Sequence, residues 1–374
     1  MKKIFLIIAS ISFITFQGSQ TELCGENSLF AEDSLKIVNL SFVGDIMCHT
    51  PQLEYAKVGR DSFDFRPYFS NVKKFLSAAD LTFGNLETVI AGKSKKFSGY
   101  PLFNSPEQLL DALKDAGFDL LFTSNNHSLD RGTDGVVRTI QNIRNRNLLS
   151  IGTYLTEKER DSLLIVNSNG LKLGLLSYTY GLNGNYLPKE KSFMINVIDT
   201  NLIRNDLTKI QRSNPDLILV YFHFGEEYSR LPSKYQEEIV NKTFDYGADV
   251  IIGSHPHVIQ PTKFVGKTNG KIKRGFVAYS LGNFISNQRW RYSDAGVILN
   301  IEIVKNTLKD SIWINKINAI PTWVYKGNVN GKNSFVILPS DTTLTGKLPE
   351  YLTKKDKEKL IESYNDTVEI LFKK

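Results

Sequence analysis

All five histidines of this sequence stand just after short apolar runs, each close to another group able to bind a metal or move a proton. "LSFVG" leads into Asp45, with His49 shortly after in "GDIMCH". "LTFG" leads to Asn85 and Glu87, and "LLFTS" to Asn125, Asn126 and His127. "LILVYF" leads to His223, then Glu226, Glu227 and Tyr228, and "DVIIGS" leads to His255 and His257 on either side of Pro256. Taken singly, such a histidine is most often structural, a Gly-Asp is commonly a turn, and paired asparagines cap helices. Five coincidences with no histidine spent elsewhere point instead to one shared site.

A mixture of Asp, Glu, Asn and His suits a borderline to hard divalent cation such as Zn, Mn or Fe, not Ca or a thiolate cluster. A carboxylate can bridge two such ions, and a pair about 3.5–4 Å apart clamps a phosphoryl oxygen and activates water. In "SHPH", an extended backbone would turn residues two apart the same way, with Pro256 fixing φ between the two imidazoles. There is no Walker A motif, no GxSxG and no convincing GxGxxG.

These groups need elements to carry them. Apolar strands such as "LKIVNLSFVGD", "PDLILVYFHFG" and "ADVIIGSH" alternate with amphipathic stretches such as "SPEQLLDALKDAG", "DGVVRTIQNIRNRN" and "KYQEEIVNKTFDYG". That alternation predicts an α/β fold with a largely parallel sheet, whose strand ends gather ligands. Ser105 is expected as an N-cap with Pro106 in the first turn and Gln108 closing a capping box, and Gly117 as the stop. Two Asn-Gly dipeptides, at 169–170 and 269–270, predict hairpins, so two packed sheets flanked by helices fit better than one open sheet. "EYLTKKDKEKLIESYNDTVEILF" is expected to form a terminal helix.

The ordered motifs "GDIM", "GNLE", "SNNH", "HFGEEY", "GSHPHVIQ" and "YSLGNF" resemble the CapA family of poly-γ-glutamate capsule-synthesis proteins, related to calcineurin-like metallophosphoesterases. The resemblance runs from about residue 37 to 325 and implies a four-layer α/β/β/α sandwich. It implies metal ligands at Asp45, Glu87, Asn126, His223, His255 and His257, under one or two divalent ions. It makes His127, with Asn126 and Glu227, the residues nearest the chemistry, His127 protonating the leaving group. His49, Tyr228, Asn283 and Asn125 are the implied substrate contacts. The sequence departs from the wider superfamily's first motif, Asp-x-His, because position 47 is Met47, so that either His49 substitutes from the following turn or one metal subsite is weak or missing; Glu87 stands where an aspartate is usual. A metal-dependent hydrolase is therefore expected in the synthesis, export or anchoring of a surface polymer. The alternative is a non-catalytic polymer-binding or synthase-complex subunit.

Composition agrees with a globular protein, 41% hydrophobic and 23% charged, with a net charge of +7 spread over mixed-sign segments. No arginine-rich or aromatic-interleaved stripe appears, so nucleic acid is not an expected partner, whereas an anionic polymer or phosphoester is. "MKK" before the apolar residues 4–16 reads as a signal peptide or N-terminal anchor over 1–19, followed by a linker over 20–34. One functional domain is expected over 35–330 and a C-terminal extension over 331–374. Two cysteines make no disulfide framework. The expected location is secreted, periplasmic or on the outer cell surface, with the N-terminus as a membrane anchor in the second case.

Overall fold

The computed structural model describes residues 34–371, so the leader and nearly all of the expected linker lie outside the described residues. Its strands are β1 (Leu35–Ile46), β2 (Leu81–Leu86), β3 (Leu120–Phe122), β4 (Leu149–Ile151), β5 (Leu164–Ser168), β6 (Leu171–Thr179), β7 (Leu217–His223), β8 (Val250–Ser254), β9 (Thr262–Gly266), β10 (Arg274–Ala278), β11 (Asn283–Ile285), β12 (Ala295–Asn306), β13 (Ser311–Val329) and β14 (Lys332–Pro339). They form two mixed sheets. The first runs β14-β13-β12-β1-β2-β3-β4 with β11 beside β1, and the second runs β5-β6-β7-β8-β10-β9. Within them β1 to β4 are mutually parallel, as are β6, β7, β8 and β10.

Side chains alternate across each strand, and here both faces are apolar because both are covered. On β7, Leu217, Leu219 and Tyr221 enter the core between the sheets, while Ile218, Val220 and Phe222 face the other way, toward the helices Thr200–Gln211 and Lys234–Asp245. On the first sheet, Phe42, Phe83 and Phe122 face inward, and Val43 and Leu121 pack outward with the helix Gln108–Ala116. The layers are therefore helix, sheet, sheet, helix. An aromatic stack crosses the interior: Phe42 on Phe83 at 4.8 Å, Phe83 on Phe122 at 5.9 Å, then Phe122 on Tyr221 of the opposite sheet at 4.1 Å.

The same alternation aims the site. Continuing the inward parity of β7 past Tyr221 gives His223, and that of β2 past Phe83 gives Asn85 and then Glu87. Asp45 is the exception, since counting by two from Phe42 would turn it outward. A bulge intervenes: Val43 pairs with Gly84 and Asp45 with Asn85, leaving Gly44 without a partner on β2. Such an extra residue re-aims the side chain after it. Gly44 is required there, because a Cβ at this position would lie 1.9 Å from the Gly282 carbonyl oxygen.

Two expectations need correction. The helix near 105 begins at Gln108 without a side-chain cap, and Ser105 instead hydrogen-bonds Thr88 at 2.8 Å. The stretch 105–107 is drawn back to the β2 loop by the Ser105 N–H to Val89 carbonyl bond, so no capping box forms, although Gly117 does end the helix in a left-handed conformation. Beyond the Asn330-Gly331 turn, β14 pairs with β13 at the edge of the first sheet. The terminal helix is present at Lys354–Leu371. Among the described residues no helix is long and apolar enough to cross a membrane.

Candidate metal centre

Five strand ends converge where the two sheets face each other. Asp45, Glu87 and His257 form one group whose donor atoms lie within 4.8 Å of one another; Glu87, His223 and His255 form a second, and Glu227, His255 and His257 a third. Glu87, His255 and His257 are shared between groups, which is the arrangement by which neighbouring ions share ligands. Glu227 joins from the exposed loop after β7, while the other five are buried.

The contacts are those of donors aimed at a common point. Glu87 Oε1 lies 3.5 Å from His223 Nε2 and 3.7 Å from His257 Nε2, yet it is fully buried and makes no hydrogen bond. His255 Nδ1 is likewise buried without a partner. Leaving such atoms unpaired costs about 1–3 kcal/mol each, more for a charge. None of Asp45, Glu87, Asp130 and Glu227 is ion-paired with a lysine or arginine among the described residues; the ionic partners of the first three are histidines. Buried carboxylates without a protein cation, beside unpaired imidazole nitrogen, fit a divalent cation bound by oxygen and nitrogen.

Protonation agrees with that fit. Burial, reinforced by the charge of neighbouring His255, drives the His223 imidazole well below its ordinary pKa, and burial with His257 takes His255 to about 3. Both are thus neutral near pH 7, the form that binds metal. Burial pushes the Glu87 carboxyl well above the usual range, and the Asp45 charge adds to the shift. Burial opposes charge on Asp45 as well, but the hydrogen bond and charge of His257 hold its carboxyl low.

A second set of residues orients the first. Asn85 Nδ2 reaches Asp45 Oδ1 at 2.8 Å and Glu87 Oε2 at 3.1 Å, while its Oδ1 accepts from Asn125 at 3.1 Å. His257 Nδ1 sits 3.0 Å from Asp45 Oδ2 and 3.1 Å from Asn283 Oδ1. Asn126 Oδ1 is 2.9 Å from His223 Nε2. His127 Nδ1 is 2.8 Å from Asp130 Oδ2, with Phe103 packed edge-on at 4.7 Å.

The backbone at "SHPH" differs from expectation. His255 and His257 have φ of 103° and 58°, so two left-handed residues, not an extended segment, bring their rings to 5.8 Å. Such strain in residues bearing a Cβ is held by surrounding contacts and gathers at functional sites. Here the Tyr228 N–H, itself on a residue with φ of 65°, donates to the Pro256 carbonyl at 2.7 Å.

Not every expected residue reaches the centre. His49 precedes the helix Thr50–Ala56, with Nδ1 3.3 Å from Gln52 and accepting from the Asn287 N–H at 3.3 Å. It belongs to none of the three donor groups, so it does not stand in for position 47. Asn125 and Asn283 are buried with their amides committed to Asn85, Leu86 and the His127 N–H, and to His257, Gln288 and Ser293 respectively; they brace the centre from behind and present no free group to a substrate. Tyr228 stands at the rim, its ring 6.2 Å from His257. Asp130, Gln288 and Tyr180 were not among the expected site residues, and Asn85 was named at its strand end without a role. Asn85 carried a signal, two residues before Glu87 on the same strand face, and Asp130 another, three after His127.

Comparison with known proteins agrees with the order of motifs. The family described as "Bacterial capsule synthesis protein PGA_cap" matches residues 39–288. The chain is 30% identical to the capsule biosynthesis protein CapA of Bacillus anthracis, over 70% of this chain and 63% of that protein. It is 26% identical to the PGA biosynthesis protein CapA of Bacillus subtilis (strain 168), over 72% of this chain and 69% of that one. Among solved structures it is similar to the calcineurin-like phosphoesterase YfkN of Bacillus subtilis, with 13% identity, 90% and 98% of the two chains covered and a TM-score of 0.45. It is also similar to a phosphatase from Mycoplasma pneumoniae, with 17% identity, 77% and 94% covered and a TM-score of 0.45. On the family match and the motifs that line this centre, the chain belongs to the bacterial capsule synthesis protein family PGA_cap.

Proposed function

We propose that this protein is a divalent-metal hydrolase of phosphoesters that works outside the cytoplasm in making, exporting or anchoring an anionic surface polymer. The observation that carries the reading is Glu87 Oε1, fully buried, unpartnered, and 3.5 and 3.7 Å from two imidazole nitrogens. Asp45, Glu87, His223, His255 and His257 would hold one or two ions of Mn, Zn or Fe, with Asn126 beside His223. Glu227, grouped with His255 and His257, supplies a donor in a sequence whose position 47 is methionine. Such ions withdraw charge from a phosphoryl group and lower the pKa of bound water.

The chain's own residues do the rest. Water oxygen joins phosphorus as the ester P–O bond breaks, and the departing oxygen takes a proton from His127. Asp130 Oδ2 holds His127 by Nδ1 at 2.8 Å, which leaves Nε2 as the atom that would give the proton. The apolar run at residues 4–16 supports export of the chain, and the family match supports a part in capsule synthesis, for which a membrane-bound synthase complex would be the partner.

Two measurements test this. Purified protein is expected to carry divalent metal by elemental analysis and to hydrolyse a chromogenic phosphodiester, with chelator abolishing turnover. Metal-free protein with no turnover on re-addition would favour the non-catalytic binder, the reading that Met47 in the first motif supports. Asp130→Asn is expected to cut turnover about 100-fold, the low end of what a positioned general acid contributes, while metal content stays at the wild-type level. An unchanged rate would remove His127 from the proton-donor role.

A further inference from the structure

We propose that the mouth of the centre is a ring-binding subsite, in which Tyr180, Tyr228 and Trp290 receive a phosphoester whose leaving alcohol carries a ring: aryl, nucleoside or hexopyranose. This deepens the phosphoesterase reading and rests on it. Three large aromatic side chains stay substantially exposed around a buried polar centre: Tyr180 at 38%, Tyr228 at 40% and Trp290 at 50%. Their positions relative to the donors are specific. The Tyr180 ring lies 4.5 Å from the His255 ring, and the Tyr228 ring lies 6.2 Å from His257 and meets Trp290 edge-on at 5.0 Å.

Tyr228 is held there at a cost that simple surface exposure does not explain. Its backbone is left-handed, its N–H is fastened to the Pro256 carbonyl between the two histidines, and its hydroxyl accepts from Gln288 Nε2 at 3.3 Å. Gln288 in turn accepts from Asn283, which touches His257 Nδ1. One chain of hydrogen bonds therefore sets both a donor imidazole and the aromatic wall beside it. Tyr180 is tied from the other side, through its N–H to the His223 carbonyl at 2.9 Å.

The chemistry of the mouth selects among ligands. An anion bound at the centre would place its leaving group between these faces. Rings stack on or present C–H groups to an aromatic side chain and gain from leaving water, whereas a short acyclic polyol gains little. The one ionisable group of the three donor sets that is exposed at the mouth is the carboxylate Glu227.

The test uses the full chain loaded with Mn and two non-hydrolysable probes, phenylphosphonate and methylphosphonate, with Kd measured by calorimetry. The expected result is phenylphosphonate binding about 10-fold tighter, the size of one stacking contact, with the ratio falling toward one in Tyr228→Ala and Trp290→Ala. Trp290→Phe is expected to restore most of it. Circular dichroism and metal content screen each variant for folding. Equal affinities in the wild type, no binding of either probe at millimolar concentration, or a ratio that survives both alanine variants would overturn the proposal. Competition by adenosine 5′-monophosphate, glucose 6-phosphate and glycerol phosphate then separates nucleoside from sugar, with glycerol phosphate expected weakest. Failure of every phosphoester to turn over would sink the hydrolase reading while leaving this binding comparison decisive on its own.

Discussion

Replacing His257 by alanine is expected to lower metal affinity by more than about 100-fold and to abolish phosphodiester turnover. Residues that merely orient a ligand typically contribute about 10–100-fold to metal affinity, and in the reading proposed above His257 would be a ligand itself. It belongs to two of the three donor groups, so its loss thins both at once. It is also the partner that holds Asp45 charged, at 3.0 Å. Without it, Asp45 and Glu87 remain buried with one imidazole fewer to balance them, which disfavours the apo fold as well as the bound ion. Asn283→Ala, removing only the brace behind His257, is expected to give the smaller, about 10–100-fold loss. Titration with Mn or Zn, read by calorimetry and by the rise in Tm that a bound ion confers on the native state, measures both. Wild-type metal content in His257→Ala would remove this histidine from the ligand set.

The second large effect is expected at a residue with no titratable atom of its own. Gly44→Ala would set a Cβ 1.9 Å from the Gly282 oxygen and 2.9 Å from its carbonyl carbon. Both sides of that contact are backbone, so no side chain can rotate away. The Asp45 N–H donates to the same Gly282 carbonyl at 2.9 Å, and β11, one residue on, pairs Asn283 with Asp45. Forcing these strands apart should cost about 1–3 kcal/mol by analogy with overpacked cores, and it should also separate Asp45 from His257. Chemical denaturation and metal titration would then fall together. A destabilised variant that kept full metal affinity would show that the bulge matters for folding alone. Neither charge nor polarity changes, so the two outcomes isolate geometry.

Much of this was readable in the residues because two regularities were enough. Strands buried on both faces are nearly uninterrupted apolar runs, so "LILVYF" and "DVII" declare themselves. Ligands in a parallel α/β sheet gather at the carboxyl ends of such runs, so His223, His255, His257 and Glu87 could be named by position. His49 met the same rule and yet lies outside the three donor groups, because it stands in the turn beyond the strand end. Here the Gln52 side chain and the Asn287 N–H take its ring.

The sequence by itself determined the α/β class, the strand ends at which polar groups gather and the types of those groups, since those follow from local periodicity and composition. Only the tertiary structure decided how the donors are aimed. The unpartnered Gly44 turns Asp45 inward against the strand's own alternation, and left-handed His255 and His257, braced by Tyr228, replace the extended "SHPH" that pattern alone suggests. Both are backbone conformations with unfavourable or neutral local energy. They persist because contacts distant in sequence, Gly282 against Gly44 and Tyr228 against Pro256, compensate for them, and such compensation leaves no trace in any single stretch of residues.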